Sequence, residues 1–320
     1  MRENTFLNED LEQATIDLTR LLSLIWKSKA LVLCVTIVSA LLSIAVALWL
    51  PNIYESKARL APKNDDGSGG LAGLAAQYGG LASLAGINLG STSSGSLPKS
   101  TMALEKIKSL AFFEQYLYDA TLLNLMAADH WNRSSNTVIY DTELYDLRLQ
   151  RWVREVNFPR RVKPSAQEAH EEFLELLTVT EDKQTGVVII GIEHKSPYVA
   201  KEWLDLLLAS IDLEVRSADV REARDSVLFL TEQREATTLV ALDEVFAQLI
   251  EEQTKKIMLA NVSKDYVFEV IDPPVAAEFK SAPNRPLVCA IGTLFGFMLS
   301  VLVVLTRYYV GGRLSPSIPS

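Results

Sequence analysis

The stretch "ALVLCVTIVSALLSIAVALWL", residues 30–50, decides the organisation of this chain because it contains no charged residue. As a helix it is long enough to cross the roughly 30 Å hydrocarbon layer of a bilayer. A second stretch of the same kind, "LVCAIGTLFGFMLSVLVVLT", occupies residues 287–306. The alternative is a helix buried in a soluble core, which must be apolar on all sides. Two such helices in one chain of this size are less plausible than two membrane spans. We therefore predict two transmembrane helices with a large domain between them.

The charges that flank the two spans predict their orientation. Arg20, Lys27 and Lys29 precede the first span, and Arg307 and Arg313 follow the second. Because cytoplasmic flanks carry an excess of Lys and Arg, we expect both termini in the cytoplasm and the middle of the chain outside. About 29 mostly polar residues precede the first span, so we expect it to stay in the mature protein.

The composition excludes several classes of protein. The chain has 320 residues, 48% of them hydrophobic, which is enough for one or two folded domains. Its formal net charge of -9 argues against nucleic acid as a partner, and we expect no cluster of Lys and Arg with interleaved aromatic residues. The only cysteines, Cys34 and Cys289, lie in the predicted spans, so we expect no disulfide in the domain between them.

The domain between the spans begins and ends in strand patterns. These are "IYESKARLAP", residues 53–62, and "YVFEVID", residues 266–272. Between them, a helix capped by Ser165 and Glu168 precedes two β-rich runs joined by a turn at residues 183–186. These patterns predict an α+β base in which strands from both ends of the domain pair.

The stretch between the first strand and the capped helix is harder to interpret. Residues 71–95, "LAGLAAQYGGLASLAGINLGSTSSG", lack the P-loop and dinucleotide-binding patterns, so no phosphate site is predicted. Because each Gly costs a helix up to about 1 kcal/mol relative to Ala, we expect residues 64–98 to be flexible, either as a solvated linker or as a functional element. Residues 100–119 predict one amphipathic helix. No structure is predicted for residues 120–163.

The longest helical pattern starts at Ser196-Pro197 and contains two apolar stripes at three- and four-residue spacing. If the chain folds back between Arg234 and Glu235, one antiparallel register brings the stripes together. The predicted pairs are Val220 with Leu249, Ala223 with Phe246, Val227 with Leu242, and Leu230 with Leu239. We therefore predict a helical hairpin over residues 196–262, with a single kinked helix as the alternative.

No pattern in the sequence predicts catalysis, a metal site or a cofactor. His130, His170 and His194 are far apart and lack the H-E-x-x-H motif, so we interpret them as ordinary surface or edge histidines. No G-x-S-x-G nucleophile motif occurs. The sequence therefore predicts a protein that is not an enzyme.

Three stretches carry a resemblance to a known family. They are "SPYVAKEWLDLLLASI" (196–211), "EEQTKKIMLANVSKDYVFEVIDPPV" (251–275) and "PPVAAEFKSAPNRP" (273–286). With two spans around a long-armed α+β domain, they resemble the bacterial polysaccharide co-polymerases, specifically chain-length determinants of the Wzz type. The family's proline-rich signature would fall on Pro273, Pro274, Lys280, Pro283 and Pro286, followed by Gly292 and Gly296 in the second span. In one respect the sequence differs from this signature: it has "PPVAA" at residues 273–277, where members of the family often have a second alanine-proline step.

The resemblance implies a regulator that sets the length of a surface glycan such as O-antigen. It implies a homo-oligomeric ring in the bacterial inner membrane that works with an integral-membrane polysaccharide polymerase; direct binding of the lipid-linked glycan stays open. The proline-rich residues and the two glycines would pack the span and contact the polymerase. Because the sequence ends shortly after the second span without a Walker motif, it resembles the kinase-free class. Two alternatives remain, an adaptor for polysaccharide export and a two-span sensory receptor.

The predicted fold is a membrane α+β protein, with a periplasmic base and a long projecting hairpin between two spans. Its parts are a cytoplasmic segment (1–29), the first span (30–50), the base (51–195, with 64–98 flexible), the hairpin (196–262), a base strand with the proline-rich lead (263–286), the second span (287–306) and a cytoplasmic tail (307–320).

Overall fold

The computed structural model of the protein describes residues 26, 28–63, 98–236 and 240–311. The chain divides into two compact units. One contains Met1–Asn52 and Ser281–Ser320, and we call it the membrane unit. The other contains Ile53–Lys280, and we call it the central unit.

The described elements are as follows in chain order. The helices are α1 (Lys29–Trp49), α2 (Lys99–Ile107), α3 (Leu110–Phe112), α4 (Tyr118–Ala127), α5 (Ala166–Leu176), α6 (Pro197–Ala236), α7 (Val240–Val262) and α8 (Arg285–Gly311), with a π-helical turn at Phe113–Leu117. The strands are β1 (Tyr54–Pro62), β2 (Ala128–Asn132), β3 (Thr137–Tyr140), β4 (Tyr145–Asp146), β5 (Arg151–Trp152), β6 (Leu177–Glu181), β7 (Val188–His194) and β8 (Phe268–Asp272).

The membrane unit consists of α1 and α8 packed together. Their mean hydropathy is 2.8 over Lys29–Trp49 and 2.6 over Arg285–Arg307, which by length and composition suits a membrane crossing. Little of either helix is buried within the chain, unlike the core helix of a soluble protein. Both predicted spans are therefore present as apolar helices that fit an inner-membrane protein.

A four-stranded antiparallel sheet forms the floor of the central unit, in the order β6-β7-β1-β8. In β1, Ala58 lies opposite Ile190 of β7, and Leu60 lies opposite Val270 of β8. Ser56, Ala58 and Leu60 are buried because alternate residues of a strand face the same side. The predicted α+β base, with pairing between strands from both ends of the domain, is confirmed.

Helices α2 to α5 and the first turns of α6 share one apolar core with the sheet. Its largest fully buried side chains include Trp203, Phe113 and Phe173. The prediction of one helix over residues 100–119 is wrong, because the chain is extended at Ser109. There the Ser109 hydroxyl accepts a hydrogen bond from the Phe112 backbone N–H at 3.3 Å and caps a new helix. The cap at Ser109 thus interrupts the helix, although apolar residues keep a helical spacing on both sides of it.

Helices α6 and α7 form the predicted hairpin. Helix α6 has 40 residues, so it is about 60 Å long. Leu230, Val245, Phe246 and Leu249 form a buried cluster against which Leu242 packs. Ala223 is also buried, Val220 and Val227 are half-buried, and Leu239 lies outside the described residues. The predicted stripes therefore lie largely at the interface of the two arms.

The predicted register of the hairpin is wrong by about two helical turns. It places Gln253 opposite Arg216, whereas Arg216 Nη1 donates to Ala260 O at 2.9 Å. Near the tip, Arg234 pairs with Asp243 (Nε–Oδ1 2.6 Å), although the predicted fold point lies directly after Arg234. A shift of two helical turns returns each apolar stripe to the same face, so the stripes alone cannot decide between the two registers.

This register makes a testable prediction. Cysteines in place of Leu230 and Phe246 are expected to form a disulfide on oxidation of the purified protein, because both positions belong to one buried cluster. Gel mobility and peptide mass spectrometry measure the bridge in a background without the two natural cysteines. Cysteines at Val227 and Leu242 are the matched control, and a bridge in that control alone would restore the predicted register.

Candidate functional site

The two glycines of the second span lie against the first span of the same chain. Ser39 Oγ donates a hydrogen bond to Gly292 O at 3.0 Å, and Ser43 Oγ donates one to Val288 O at 3.0 Å. A Cβ at Gly292 would overlap Ser43, and one at Gly296 would overlap Ser39. The missing side chains therefore let the two helices approach closely enough for these bonds. Contact of the glycines with a polymerase or a second subunit stays a prediction.

The proline-rich lead is divided between the two units. Pro273, Pro274 and Lys280 belong to the central unit, and Pro283 and Pro286 belong to the membrane unit. Pro274 is buried, and the carbonyl of Val275 accepts a hydrogen bond from Ser56 Oγ of β1 at 2.9 Å. Pro286 lies in the first turn of α8, where a residue without an N–H is tolerated. These prolines follow the end of β8 and begin α8, and their contact with a polymerase stays a prediction.

Polar residues of α6 bind the end of the return arm and the chain that follows it. We call Asp212, Arg216 and Asp219 of α6, together with Asp265, Tyr266 and Val267, the hairpin root. The Arg216 guanidinium donates to the carbonyls of Ala260, Ser263 and Lys264 at 2.9, 2.8 and 3.0 Å and pairs with Asp212. The other Asp212 oxygen accepts from the backbone N–H groups of Tyr266 and Val267 at 2.7 and 3.2 Å. Arg216 thereby satisfies carbonyls that the end of a helix leaves unpaired, and Asp212 positions the chain that leads to β8.

Asp219 and Tyr266 form the second part of the hairpin root. The Tyr266 hydroxyl donates to Asp219 Oδ2 at 2.7 Å, and Lys99 Nζ lies 2.9 Å from the same oxygen. Burial and the bond to Asp219 raise the pKa of Tyr266 to about 12. Although burial alone raises the Asp219 pKa, the hydrogen bonds from Tyr266 and Lys99 bring it below its usual value. The pair therefore holds an ionised carboxylate and a neutral phenol at neutral pH.

The hairpin root also holds both flanks of the Gly-rich segment. On one flank, Lys63 donates from its backbone N–H to Val267 O at 3.0 Å and from Nζ to Asp265 O at 2.7 Å. On the other flank, Lys99 Nζ lies over the Tyr266 ring, 4.5 Å from its centroid. The segment predicted to be flexible, residues 64–98, lies outside the described residues except for Pro98. Its two ends are therefore anchored at one place, beside the base of the hairpin.

The prediction that all three histidines are surface or edge residues is wrong for His194. This side chain is only 4% exposed, and its Nδ1 accepts a hydrogen bond from the Ser196 backbone N–H at 3.0 Å, just before α6 begins. Its Nε2 lies 3.2 Å from Asn124 O, so Nε2 carries the proton. Burial lowers the pKa of His194 to about 4. A lone histidine in a sequence carries no signal of this packing.

The His194 pKa predicts a loss of stability at mildly acidic pH. Because the folded pKa of about 4 lies below the ordinary value of 6.5, the unfolded chain binds more protons between these two values. The contribution of neutral His194 is therefore complete above pH 6.5 and is lost as the pH falls towards 4, by roughly 3 kcal/mol in total. Chemical denaturation at a series of pH values measures the slope, which we expect to flatten in His194→Asn but not in His130→Asn.

The expectation that the chain has no cluster of Lys and Arg with interleaved aromatic residues is also wrong. Residues 147–163 contain six basic residues and one acidic residue, with Trp152 and Phe158 among them. Arg148, Arg151 and Arg160 are exposed there. This signal was present in the sequence, but the net charge of the whole chain conceals it because acidic residues elsewhere outnumber the basic ones.

Metal ligands are not grouped in the described ranges, where no set of three or more His, Cys, Asp and Glu side chains is placed to hold an ion. The polar clusters on α6 instead bind backbone groups, lysines and tyrosines. The polar contacts described above thus hold two structures in place, the hairpin of α6 and α7 and the pair of α1 and α8.

Two family models match separate parts of the sequence. Residues 14–120 match the family model "Wzz: Chain length determinant protein", and residues 236–309 match "GNVR: G-rich domain on putative tyrosine kinase". No curated protein matches the sequence. Among solved structures, a full-length bacterial polysaccharide co-polymerase is 11% identical with a TM-score of 0.40, over 94% of this chain and 99% of that chain. A fragment of WzzB, a polysaccharide co-polymerase from Salmonella Typhimurium, is 13% identical with a TM-score of 0.29, over 72% of this chain and 100% of the fragment.

The Wzz match covers about a third of the chain and, together with the apolar helix pair and the α/β unit, supports one class of protein, the polysaccharide chain-length determinants. The matched residues include α1, β1 and α2, and the match supports a regulator of polysaccharide chain length. The resemblance found in the sequence is thereby confirmed. The GNVR match covers α7, β8 and most of α8, and the assignment to the kinase-free class stays a prediction.

Proposed function

We propose that this protein sets the length of O-antigen or a related lipid-linked glycan as a homo-oligomer that works with a membrane polymerase. The observation that carries the proposal is the Wzz match, which extends from residue 14 across α1 and β1 to residue 120. The chain regulates the polymerase without joining repeat units itself. In this proposal both termini are cytoplasmic and the central unit is periplasmic, as the charges around the spans predict.

Exposed apolar side chains on the hairpin support assembly with further copies. Leu228 and Phe229 on α6 and Met258, Leu259 and Val262 on α7 are exposed in the single chain. Exposed apolar groups on both arms offer apolar surface of the kind that protein interfaces bury. A neighbouring arm in a ring would bury it, and the two spans would hold the copies in one plane.

A deletion strain tests the proposed function. We expect polymer synthesis to continue while the glycan loses its modal length, because the regulator does not form glycosidic bonds. A gel of the extracted glycan measures the length distribution, and copurification with the polymerase measures the partnership. Loss of all surface polymer with lipid-linked polymer retained inside the cell would favour an export adaptor, and unchanged glycan with altered gene expression would favour a receptor.

The Gly-rich segment gives a prediction within this function. Replacing residues 71–90 with a Ser/Gly linker of equal length is expected to preserve the oligomer and to shift the modal glycan length. The fold should persist because Lys63 and Lys99 stay bound to the hairpin root. Native mass measurement reports the oligomer, and a glycan gel reports the length. An unchanged glycan would mean that the segment is a plain linker.

A further inference from the structure

Residues 147–163, "LRLQRWVREVNFPRRVK", are a strongly basic stretch of an acidic protein. Five of the six basic side chains are exposed: Arg148, Arg151, Arg160, Arg161 and Lys163. In the part of the chain that the structure describes, none of the five forms an ion pair. We call this stretch the basic loop. Lys163 Nζ lies over the Tyr118 ring, 5.3 Å from its centroid, and the four exposed arginines keep their charge available for a partner outside the chain.

The sixth basic residue, Arg154, fixes the basic loop from inside. Its side chain is 8% exposed, and its two terminal nitrogens lie 2.6 and 2.7 Å from the carboxylate oxygens of Glu168 at the start of α5. The same guanidinium donates to the carbonyls of Val162 and Arg161 at 2.9 and 2.7 Å. The hydrogen bonds from Arg154 hold the pKa of Glu168 below its usual value, so this clamp stays ionised. Arg154 therefore ties the backbone of the basic loop to α5.

Apolar side chains alternate with the exposed charges. Phe158 is 96% exposed, and Leu147, Leu149 and Val162 are exposed as well. A stretch that exposes Phe and Leu together with Lys and Arg suits the boundary between lipid headgroups and acyl chains. There the apolar groups leave water while the basic groups meet phosphate, and Arg binds phosphate through two parallel hydrogen bonds.

We propose that the basic loop is a docking surface for anionic phospholipid headgroups. A soluble acidic polymer would neutralise the arginines but would leave Phe158 and its apolar neighbours in water. The bilayer is also present at high effective concentration, since the central unit is covalently joined to α1 after Asn52 and to α8 after Lys280. The proposal depends on the membrane helices and is independent of the role in chain-length control.

Spin labelling of the full chain in nanodiscs tests this docking. A nitroxide at Asn157→Cys, in a background without the natural cysteines, keeps Phe158 in place next to the label. We expect the ratio of oxygen to nickel-chelate accessibility to rise several-fold when phosphatidylcholine discs are replaced by discs that also contain phosphatidylglycerol. A label at Lys183→Cys, in the exposed turn after β6, is expected to show no rise.

Two charge variants with the same net charge separate docking from a general electrostatic effect. The first changes Arg160, Arg161 and Lys163 to Gln and is expected to abolish the rise. The second changes Lys183, Arg224 and Lys255, exposed elsewhere, to Gln and is expected to keep it. An equal ratio of oxygen to nickel-chelate accessibility at Asn157→Cys in both kinds of disc would overturn the proposal. Immobilisation of the label by dextran sulfate, without any response to phosphatidylglycerol, would also overturn it and identify a soluble polyanion as the ligand.

Discussion

Leucine in place of Gly292 or Gly296 is expected to separate the two apolar helices and to abolish the modal glycan length. Each glycine lies where a Cβ would overlap a serine of α1, so a leucine must push the helices apart. Overpacking costs typically about 1–3 kcal/mol, and here it also removes the hydrogen bonds from Ser39 and Ser43. Disulfide crosslinking between cysteines on α1 and α8 measures the pairing, and a glycan gel measures the consequence.

Matched variants separate this packing from contact with another protein. Ala290→Leu adds comparable bulk at an exposed position of α8 and is expected to keep the helix pair. The exchange Ser43→Gly with Gly292→Ser moves one hydroxyl across the interface and is expected to retain most of the pairing. If Gly292→Leu removes length control while crosslinking is unchanged, the glycine contacts a partner outside the chain instead.

Arg216→Met is expected to lower the free energy of unfolding of the central unit by about 3 kcal/mol, because it removes the hydrogen bonds to three carbonyls and the pair with Asp212. The methionine keeps most of the side-chain volume, so the loss reports the polar contacts. The end of α7 should fray first, since these carbonyls lie at and just after it. Pulse proteolysis in urea measures the stability, and the sites of early cleavage show where the chain opens.

Two further variants control for a general effect of lost charge. Arg224→Met removes an exposed arginine from the same helix and is expected to change stability by less than about 0.5 kcal/mol. Arg216→Lys keeps the charge but loses the planar fork and should be intermediate. Equal stability of Arg216→Met and Arg224→Met would show that the hairpin root contributes little to the fold.

Much of the architecture is encoded in local patterns. The uncharged run at residues 30–50 and the alternation at residues 53–62 each specify one element through their own neighbours. The Ser165 cap behaves the same way, because its hydroxyl accepts from Glu168 N at 3.2 Å within one turn. These predictions were correct because the deciding contacts lie a few residues apart.

The candidate site was less predictable because its contacts join distant residues. The pairs of Ser39 with Gly292 and of Arg216 with Ala260 join parts of the chain that share no local pattern. The spacing of Gly292 and Gly296 predicts that another helix packs closely against α8, but it does not indicate which helix this is. The basic loop is concealed for a different reason, since the net charge of a chain averages over its whole surface.

By itself the sequence determined which residues are apolar and on which face of a helix or strand they lie. It thus determined the two apolar spans, the strands at both ends of the central unit and the two apolar stripes of the hairpin. Only the tertiary structure decided what each face meets: the hairpin register, the burial of His194 and the serines opposite the glycines. The physical reason is that an apolar stripe looks the same after a shift of two helical turns, whereas hydrogen bonds such as those of Arg216 and Arg234 form in one register only.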